Sequence, residues 1–323
     1  VWKDPDRCRE ECSICFKSHQ RRKNTACRKK NAGESLYKTV FAKFMAEDPG
    51  QTSRVRLAFR IGYIGTSFFG SQYQPGIRTV EGEIESACMR AGIISGRKDS
   101  GLALSGRTDR GVHARNQVLA FSTHCPDRAV RALNGQLPYD IWVNSWAYVP
   151  DSFYPRYDVI SRTYRYYYSR TPSDVSAMKA AAGLFKGTHD FRCFARVEPG
   201  KNPVKTIDHI EIITGKDECL LEISAQGFLW HMVRCIAGAL LQVSEGTLTA
   251  AELLYYLSGE CKNKVKPASP DGLILWDVDT DLDWQEMTIP NLKTGRIIRK
   301  SEELLLHGKV YSLLLSGRDE KPE

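Results

Sequence analysis

Strand and helix patterns follow one another irregularly from Arg54 to about residue 280, and this order constrains the fold more than any other feature. The segment RVRLAFRIGY alternates apolar and polar residues, which is typical of a half-buried strand. Residues 116–123, 141–149 and 161–169 also predict strands. A doubly wound parallel sheet would need strict alternation of strand and helix, so the sequence favours an α+β fold with a mostly antiparallel sheet.

Helices are predicted where apolar residues recur at helical spacing behind a capping residue. Thr79 is placed to cap one helix that ends at Gly92, and Thr249 with Glu252 forms a capping box for another. Further helices are predicted at about 129–137, 174–185 and 228–244. Further strands are predicted at 204–214 and 218–226, joined by a turn at 215–217.

The chain of 323 residues is long enough for one large domain or two ordinary ones. Two similar halves, joined near residues 150–156, fit this length. The predicted organisation is a Cys-rich basic extension, an N-terminal α/β domain, a C-terminal α/β domain and a tail, over residues 1–53, 54–152, 153–284 and 285–323.

Composition excludes several classes of protein. Apolar residues make up 42% and charged residues 26% of the chain, which argues against global disorder. No apolar run approaches the roughly 20 residues that span a membrane, and the N-terminus is too basic and polar for a secretory signal. We therefore expect a cytoplasmic protein with no membrane association and with reduced thiols.

The net charge of +8 leans towards polyanionic partners such as nucleic acid. Residues 1–50 hold 12 Lys and Arg against 7 Asp and Glu, so +5 of this charge lies outside the part that carries the fold pattern. Net charge is therefore weak support for an RNA partner, and the placement of individual arginines matters more.

The most unusual local sequence is SGRTDRGVHA (105–114), in which Arg107, Asp109 and Arg110 stand between two glycines. Such a segment cannot pack as core, because its charges need partners or water. One interpretation is a solvated turn in which Asp109 bonds its own backbone. The other is a catalytic loop, because a carboxylate among guanidinium groups stays ionised and is available as nucleophile or base.

Arg234 is a second unusual residue, since its neighbours in the predicted helix 228–244 are mostly apolar. Arginine is rarely buried unless it is paired. Its side chain either reaches back to the surface or pairs with a buried carboxylate, for which Asp109 is the candidate.

A strand rich in tyrosine is the third candidate feature. Alternation places Tyr164, Tyr166 and Tyr168 on one face, which is typical either of core or of a platform on which bases stack. Arginines are interleaved with this aromatic segment, a mixture that suits single-stranded or flipped-out nucleotides. They are Arg156, Arg162, Arg165 and Arg170.

The segment SGRTDRGVHA resembles the active-site signature of the TruA family of tRNA pseudouridine synthases. Six further segments resemble the family's motifs in the same order, with Tyr73 where tryptophan is usual and Pro155 in place of alanine. These segments are IGYIGTSFFGSQYQ (61–74), LNGQLPYDI (133–141), FYPRYDVISRTYRYYY (153–168), LFKGTHDFRCF (184–194), GFLWHMVRCIAGAL (227–240) and PASPDGLILWDV (267–278).

The resemblance implies a fold, an activity and a quaternary state. The fold would be two α/β domains of ferredoxin-like, RNA-binding type, with largely antiparallel sheets joined around a central basic cleft. The activity would be conversion of uridine to pseudouridine in the anticodon stem-loop of tRNA, typically at positions 38 to 40, by a homodimer without a cofactor. Another uridine or another RNA is an alternative target, and a non-catalytic RNA-binding protein is the alternative from a different class.

The resemblance also implies roles for particular residues. Asp109 would be the catalytic aspartate and Arg234 the helix arginine that pairs with it. Tyr164 would stack on the target uracil. Arg107, Arg110 and Arg162 are expected to contact the substrate RNA.

Four cysteines crowd the amino-terminal segment, outside the resemblance: Cys8, Cys12, Cys15 and Cys27. Their thiolates have a spacing that can bind zinc. Alternatively, the segment is not normally translated, because MAEDPGQTSRVRLAFRIGY, from Met45, is a plausible start, or it is a disordered basic extension. The other cysteines are predicted to be small buried hydrophobic residues: Cys88, Cys125, Cys193, Cys219, Cys235 and Cys261.

Overall fold

A computed structural model describes residues 54–216, 218–261 and 263–315. The chain divides into two units, Val1–Ser53 and Arg54–Glu323. The first unit, with its four cysteines and Met45, lies outside the described residues, so the zinc site and the alternative start stay predictions.

Strands and helices of the described residues agree in their order with an α+β protein. The strands are β1 (Val55–Tyr63), β2 (Ala103–Leu104), β3 (His113–Thr123), β4 (Ile141–Tyr148), β5 (Ser161–Tyr167), β6 (Gly187–Asp190), β7 (Val204–Ile207), β8 (His209–Thr214), β9 (Cys219–Ala225), β10 (Leu273–Asp279) and β11 (Gln285–Glu286). The helices are α1 (Val80–Arg90), α2 (Arg97–Ser100), α3 (Pro126–Gln136), α4 (Val175–Leu184), α5 (Met232–Ser244), α6 (Ala250–Leu257) and α7 (Asn291–Leu315).

One nine-stranded sheet runs through the molecule in the order β11-β4-β1-β3-β10-β5-β9-β8, with β2 paired to β3. Strands β6 and β7 form a separate antiparallel pair. Neighbours in the large sheet are antiparallel except β3 and β10, where Ile274 lies opposite His113 in a parallel pairing. The predicted α+β fold with a mostly antiparallel sheet is confirmed.

The parallel pair joins the two halves of the chain. Strand β3 comes from the first half, and β10 returns from the end of the second half to lie between β3 and β5. One continuous sheet therefore contains strands from both sides of the boundary predicted between residues 152 and 153. The division into two domains at that boundary stays a prediction.

Buried aromatic residues pack against one another in each half of the described structure. Phe59 on β1 stacks on Phe121 on β3 with ring centroids 5.1 Å apart, and both side chains are fully buried. Phe185 packs edge-on to Phe194 at 5.1 Å in the second half. Burial of each such ring contributes roughly 1.5–3 kcal/mol to the stability of the fold that carries the site.

Two predicted elements have different bounds in the structure, because segments distant in sequence pair with them. The helix predicted at 228–244 begins only at Met232, because His231 adopts a left-handed backbone (φ 65°) and Trp230 forms a β-bridge with Arg196. The strand predicted at 204–214 breaks at Asp208, because β7 pairs with β6 whereas β8 joins the large sheet.

The expectation of reduced thiols is wrong for one pair of cysteines. Cys193 and Cys261 form a disulfide, with their Cα atoms 5.9 Å apart. The backbone N–H of Val265 donates to the carbonyl of Cys193, which brings the segment after α6 against the short helix Arg192–Phe194. Cys88, Cys219 and Cys235 are buried free thiols as predicted, and Cys125 is half-buried.

No helix among the described residues, the 25-residue α7 included, is long and apolar enough to cross a membrane.

Candidate active site

Asp109 lies in the loop between β2 and β3, which hydrogen bonds attach to the body of the protein. The Thr108 N–H donates to Ser71 Oγ at 2.8 Å, and the Ser71 N–H donates to the Thr108 carbonyl at 3.0 Å. The hydroxyls of Thr108 and Tyr63 are 2.8 Å apart. Burial raises the pKa of Tyr63 well above its ordinary value, so its phenol stays protonated. The backbone beside Asp109 is thus fixed before substrate binds.

Two glycines allow this loop to pack closely. A Cβ atom on Gly65 would lie 2.0 Å from the carbonyl oxygen of Val112. Gly111 has a positive φ of 85°, and a Cβ there would lie 3.1 Å from the ring of Pro270. The Gly65 N–H also donates to Nδ1 of His113 at 3.2 Å, so His113 has a structural contact in this loop.

Three side chains surround the Asp109 carboxylate, and two of them donate hydrogen bonds to it. Arg234 Nη1 lies 2.9 Å from Oδ2, and the indole Nε1–H of Trp230 donates to Oδ1 at 2.9 Å. His231 Nε2 lies 3.5 Å from Oδ2. Hydrogen bonds to an ionised acceptor are stronger than neutral ones, so this arrangement stabilises the carboxylate. The side chain is still 21% exposed, and a ligand in the cleft can reach it.

Arg234 is held from two sides. It is the third residue of α5, and its side chain is only 13% exposed. Nε donates to the carbonyl of Ala268 at 2.8 Å while Nη1 contacts Asp109. The side chain is therefore paired rather than extended to the surface, and it lies at the start of the helix rather than in its middle.

Tyr164 stands in the same cleft, on β5. The ring is 7% exposed and packs edge-on against Phe228 with centroids 5.2 Å apart. Burial raises the pKa of Tyr164 to about 12, opposed by the charge of Arg162 and assisted by that of Asp109. The phenol is therefore neutral at physiological pH.

The three arginines expected to contact RNA differ in environment. Arg107 is half-exposed, with Nη1 3.4 Å from Glu198 Oε1, and the Arg110 guanidinium lies over the ring of Phe69 at 4.2 Å. Arg162 is buried and donates to backbone carbonyls: Ser105 at 3.2 Å from Nε, Arg156 at 2.8 Å from Nη2, and Gln226. These bonds connect Arg162 to the loop that carries Asp109.

A cleft of about 1320 Å³ contains Asp109 and Tyr164. Eight Lys and Arg line it against three Asp and Glu, so it attracts polyanions. The basic residues are Arg107, Arg110, Arg156, Arg162, Arg196, Lys201, Lys205 and Arg234. Of the other arginines near the tyrosine strand, Arg165 pairs with Glu222 at 2.7 Å and Arg170 with Glu245 at 3.3 Å.

Comparison with known proteins agrees with this site. Residues 181–281 match the family model described as tRNA pseudouridine synthase. A tRNA pseudouridine synthase A from Methanosphaerula palustris is 49% identical over 70% of this chain and 80% of its own length. That from Pyrococcus furiosus is 41% identical over 80% of this chain and 96% of its own length. The chain belongs to the TruA family of tRNA pseudouridine synthases.

Membership of the TruA family makes this protein an isomerase, as the signature loop predicts. A third relative, from Thermococcus onnurineus, is 45% identical over 70% of this chain and 85% of its own length. A solved structure of an H/ACA RNP bound to a substrate RNA containing 2'-deoxyuridine aligns with a TM-score of 0.25 and 12% identity over 58% of this chain and 52% of that chain. So weak a similarity supports no conclusion.

Two residues of this TruA-family site do not emerge from the sequence. Trp230 and His231 both contact Asp109, and the Arg196 guanidinium lies over the Trp230 ring at 4.3 Å. Burial lowers the pKa of His231, although Asp109 opposes this, so the imidazole is neutral at neutral pH. In the sequence, only their position just before Arg234 points to the site. Because the helix is predicted to begin at residue 228, both residues are assigned to it rather than to a loop that faces Asp109.

Proposed function

We propose that this TruA-family enzyme converts uridine to pseudouridine in the anticodon stem-loop of tRNA, at positions 38 to 40, with Asp109 as its catalytic residue. The observation that carries the proposal is the Asp109 carboxylate, held by Arg234 and Trp230 at 2.9 Å each inside a basic cleft beside Tyr164. A protein that only bound RNA would have no need of a carboxylate fixed in this way.

The reaction rearranges bonds without changing the composition of the nucleotide. The N1–C1′ bond breaks, the uracil turns and C5 bonds to C1′, while the C5 proton leaves and N1 is protonated. The target base must leave its stack to be reached, and Tyr164 offers an aromatic ring beside Asp109. An ionised Asp109 either attacks the sugar or the base, or takes a proton. In each route, Arg234 stabilises the negative charge of the carboxylate before it reacts.

Phosphate contacts supply affinity for the tRNA. Arg107 and Arg110 are placed at the cleft for such contacts, because both line it, Arg107 half-exposed beside Glu198 and Arg110 over the ring of Phe69. Arg162 contributes in a different way, by bonding the carbonyl of Ser105, so that it positions the catalytic loop. Its loss should reduce turnover more than tRNA affinity.

The homodimer is also part of the proposal. Helix α7 exposes large apolar side chains, which favours an association of subunits. They include Leu304, Leu305, Leu306, Tyr311 and Leu314. Light scattering of the purified protein should give twice the mass of one chain, and a monomer at micromolar concentration would contradict this part.

Mapping of pseudouridine in an unmodified tRNA transcript tests the assignment. After incubation with the protein, we expect new pseudouridines only at positions 38 to 40. Modification only at other uridines would contradict the site but keep the reaction. Binding of tRNA with no new pseudouridine in any transcript would favour the non-catalytic RNA-binding alternative.

A further inference from the structure

A pair of stacked tyrosines stands at the edge of the cleft and has no part in the chemistry proposed above. The rings of Tyr154 and Tyr157 lie 5.4 Å apart at 23° to each other. Tyr157 is 74% exposed and Tyr154 is 43% exposed. We call these two side chains the tyrosine platform.

The turn that carries the platform is preformed. The N–H groups of Tyr157 and Asp158 donate to the carbonyl of Tyr154 at 3.0 and 3.1 Å, and the Tyr154 N–H donates to Asp158 Oδ2 at 2.6 Å. Pro155 restricts the backbone between the two rings. A ligand that stacks on the platform therefore orders little of the chain when it binds.

The platform is connected to the catalytic loop. Arg162 donates to the carbonyl of Arg156, between the two tyrosines, and also to the carbonyl of Ser105, four residues before Asp109. Tyr157 lines the main cleft that holds Asp109. The platform therefore has a fixed place relative to the loop that carries Asp109.

A smaller pocket of about 190 Å³ adjoins this edge of the cleft. Tyr154 and Arg156 line it together with Arg97 and Arg107. An exposed aromatic pair beside guanidinium groups provides a stacking surface for a base and partners for its phosphate. Stacked aromatic rings left in solvent contribute little to the core, so their exposure points to a ligand with a flat apolar face.

We propose that the tyrosine platform stacks an unpaired nucleobase of the substrate RNA next to the target uridine, with its phosphate at Arg107 and Arg156. The inference rests on the proposed function for its substrate. A base-stacking site of this kind selects targets whose flanking nucleotide is free of a base pair, as in a loop or at its edge.

Substitution of Tyr157 tests the platform through affinity. Tyr157→Leu should weaken binding of the tRNA transcript and raise KM by roughly 5- to 150-fold, the range for loss of one stacked base, with kcat at saturation unchanged. Tyr157→Phe keeps the ring and should bind like the wild type. Tyr255→Leu, at an exposed tyrosine on α6 outside the cleft, is the matched control and should have no effect.

Heparin separates stacking from charge, because it is a polyanion without bases. Tyr157→Leu and the wild type should bind heparin equally, and thermal unfolding should show that both are folded. If Tyr157→Leu is misfolded, Tyr154→Leu replaces it, with the same loss of tRNA affinity expected.

Each outcome decides between the proposals. An active wild type with unchanged KM in Tyr157→Leu overturns the platform alone, whereas an inactive wild type overturns the proposed function. Equal losses for tRNA and heparin would also overturn base stacking and favour a role in charge or shape. Loss of affinity in Tyr157→Phe as large as in Tyr157→Leu would assign the effect to the hydroxyl rather than the ring.

Discussion

At the scale of single residues, the Asp109 carboxylate binds donors on both oxygens. Arg234 supplies charge at Oδ2, and Trp230 supplies a neutral N–H at Oδ1. The guanidinium of Arg196 stacks on the Trp230 indole, and the backbone N–H of Arg196 donates to the Trp230 carbonyl. These two contacts hold the indole N–H in place beside Asp109. We expect Trp230 to act as a positioning residue for Asp109.

Trp230→Phe should lower kcat roughly tenfold, because a hydrogen bond to a charged group contributes about 1.5–3 kcal/mol and part of this orients the carboxylate. KM should change much less, since the aromatic ring stays. The control is Trp284→Phe, which removes an indole N–H bonded to Thr280 Oγ1 outside the cleft. Steady-state kinetics of both variants measure the effect, and equal kcat values would show that Trp230 does not position Asp109.

At the scale of elements, the site depends on the close approach of the catalytic loop to the turn after β1. Gly65 and Val112 are in contact because no side chain separates them. The hydrogen bonds of Thr108 and His113 then attach the loop to that turn and to the neighbouring segment. A change in this packing should therefore reach Asp109 without touching it.

Gly65→Ala should lower the free energy of unfolding by about 1–3 kcal/mol, because the added methyl group collides with the carbonyl of Val112. Turnover should fall as well, since the loop must shift. Gly135→Ala is the control, because a Cβ there, on helix α3, has nothing within 4 Å. Urea unfolding and steady-state kinetics of the two variants measure the effect. A Gly65→Ala enzyme as stable and active as Gly135→Ala would contradict the close contact between Gly65 and Val112.

Local sequence patterns predicted the strands and helix caps well. The start of α5 and the disulfide depend on contacts between residues distant in sequence. The apolar run of β1 and the caps at Thr79 and Thr249 act within a few residues, so the sequence reveals them. Strand β1 is nevertheless buried along almost its whole length, rather than half-buried as predicted, because it lies between β3 and β4 in the interior of the sheet. The start of α5 depends on the bridge between Trp230 and Arg196, 34 residues apart, which no local pattern contains. The pairing of Cys193 with Cys261, separated by 68 residues, is hidden for the same reason.

The residues of the candidate site also fall into those that local sequence indicates and those that only the folded structure reveals. The unusual loop and the arginine among apolar neighbours pointed to Asp109 and Arg234, because buried charge needs a partner. The Asp109–Trp230 contact spans 121 residues, and tryptophan in an apolar segment is ordinary in sequence. The tyrosine platform was hidden because exposure cannot be distinguished from burial in a run of aromatic residues.

At the scale of the whole molecule, stability depends on histidines that the fold keeps neutral. Burial lowers the pKa of His113 and of His231 from the ordinary value of 6.5. His113 also accepts a hydrogen bond at Nδ1, which requires that nitrogen to be unprotonated. The unfolded chain therefore binds protons near pH 6.5 that the folded protein does not bind.

Stability should accordingly be highest above pH 6.5 and fall as the pH drops from 6.5 towards the lowered pKa values of these histidines. Urea unfolding at pH 7.5 and pH 5.5 measures the difference. His113→Gln should make the dependence on pH shallower, and a wild type that is more stable at pH 5.5 would contradict the burial of neutral histidines.

We propose that Asp109, held by Arg234, carries out the isomerisation of uridine in tRNA. Release of tritium from C5 of uridine-labelled tRNA measures this step directly, because the C5 hydrogen leaves when C5 bonds to C1′. The wild type should release tritium, and Asp109→Asn, which keeps the shape of the side chain, should bind the tRNA but release none. Release by Asp109→Asn at the rate of the wild type would contradict the account.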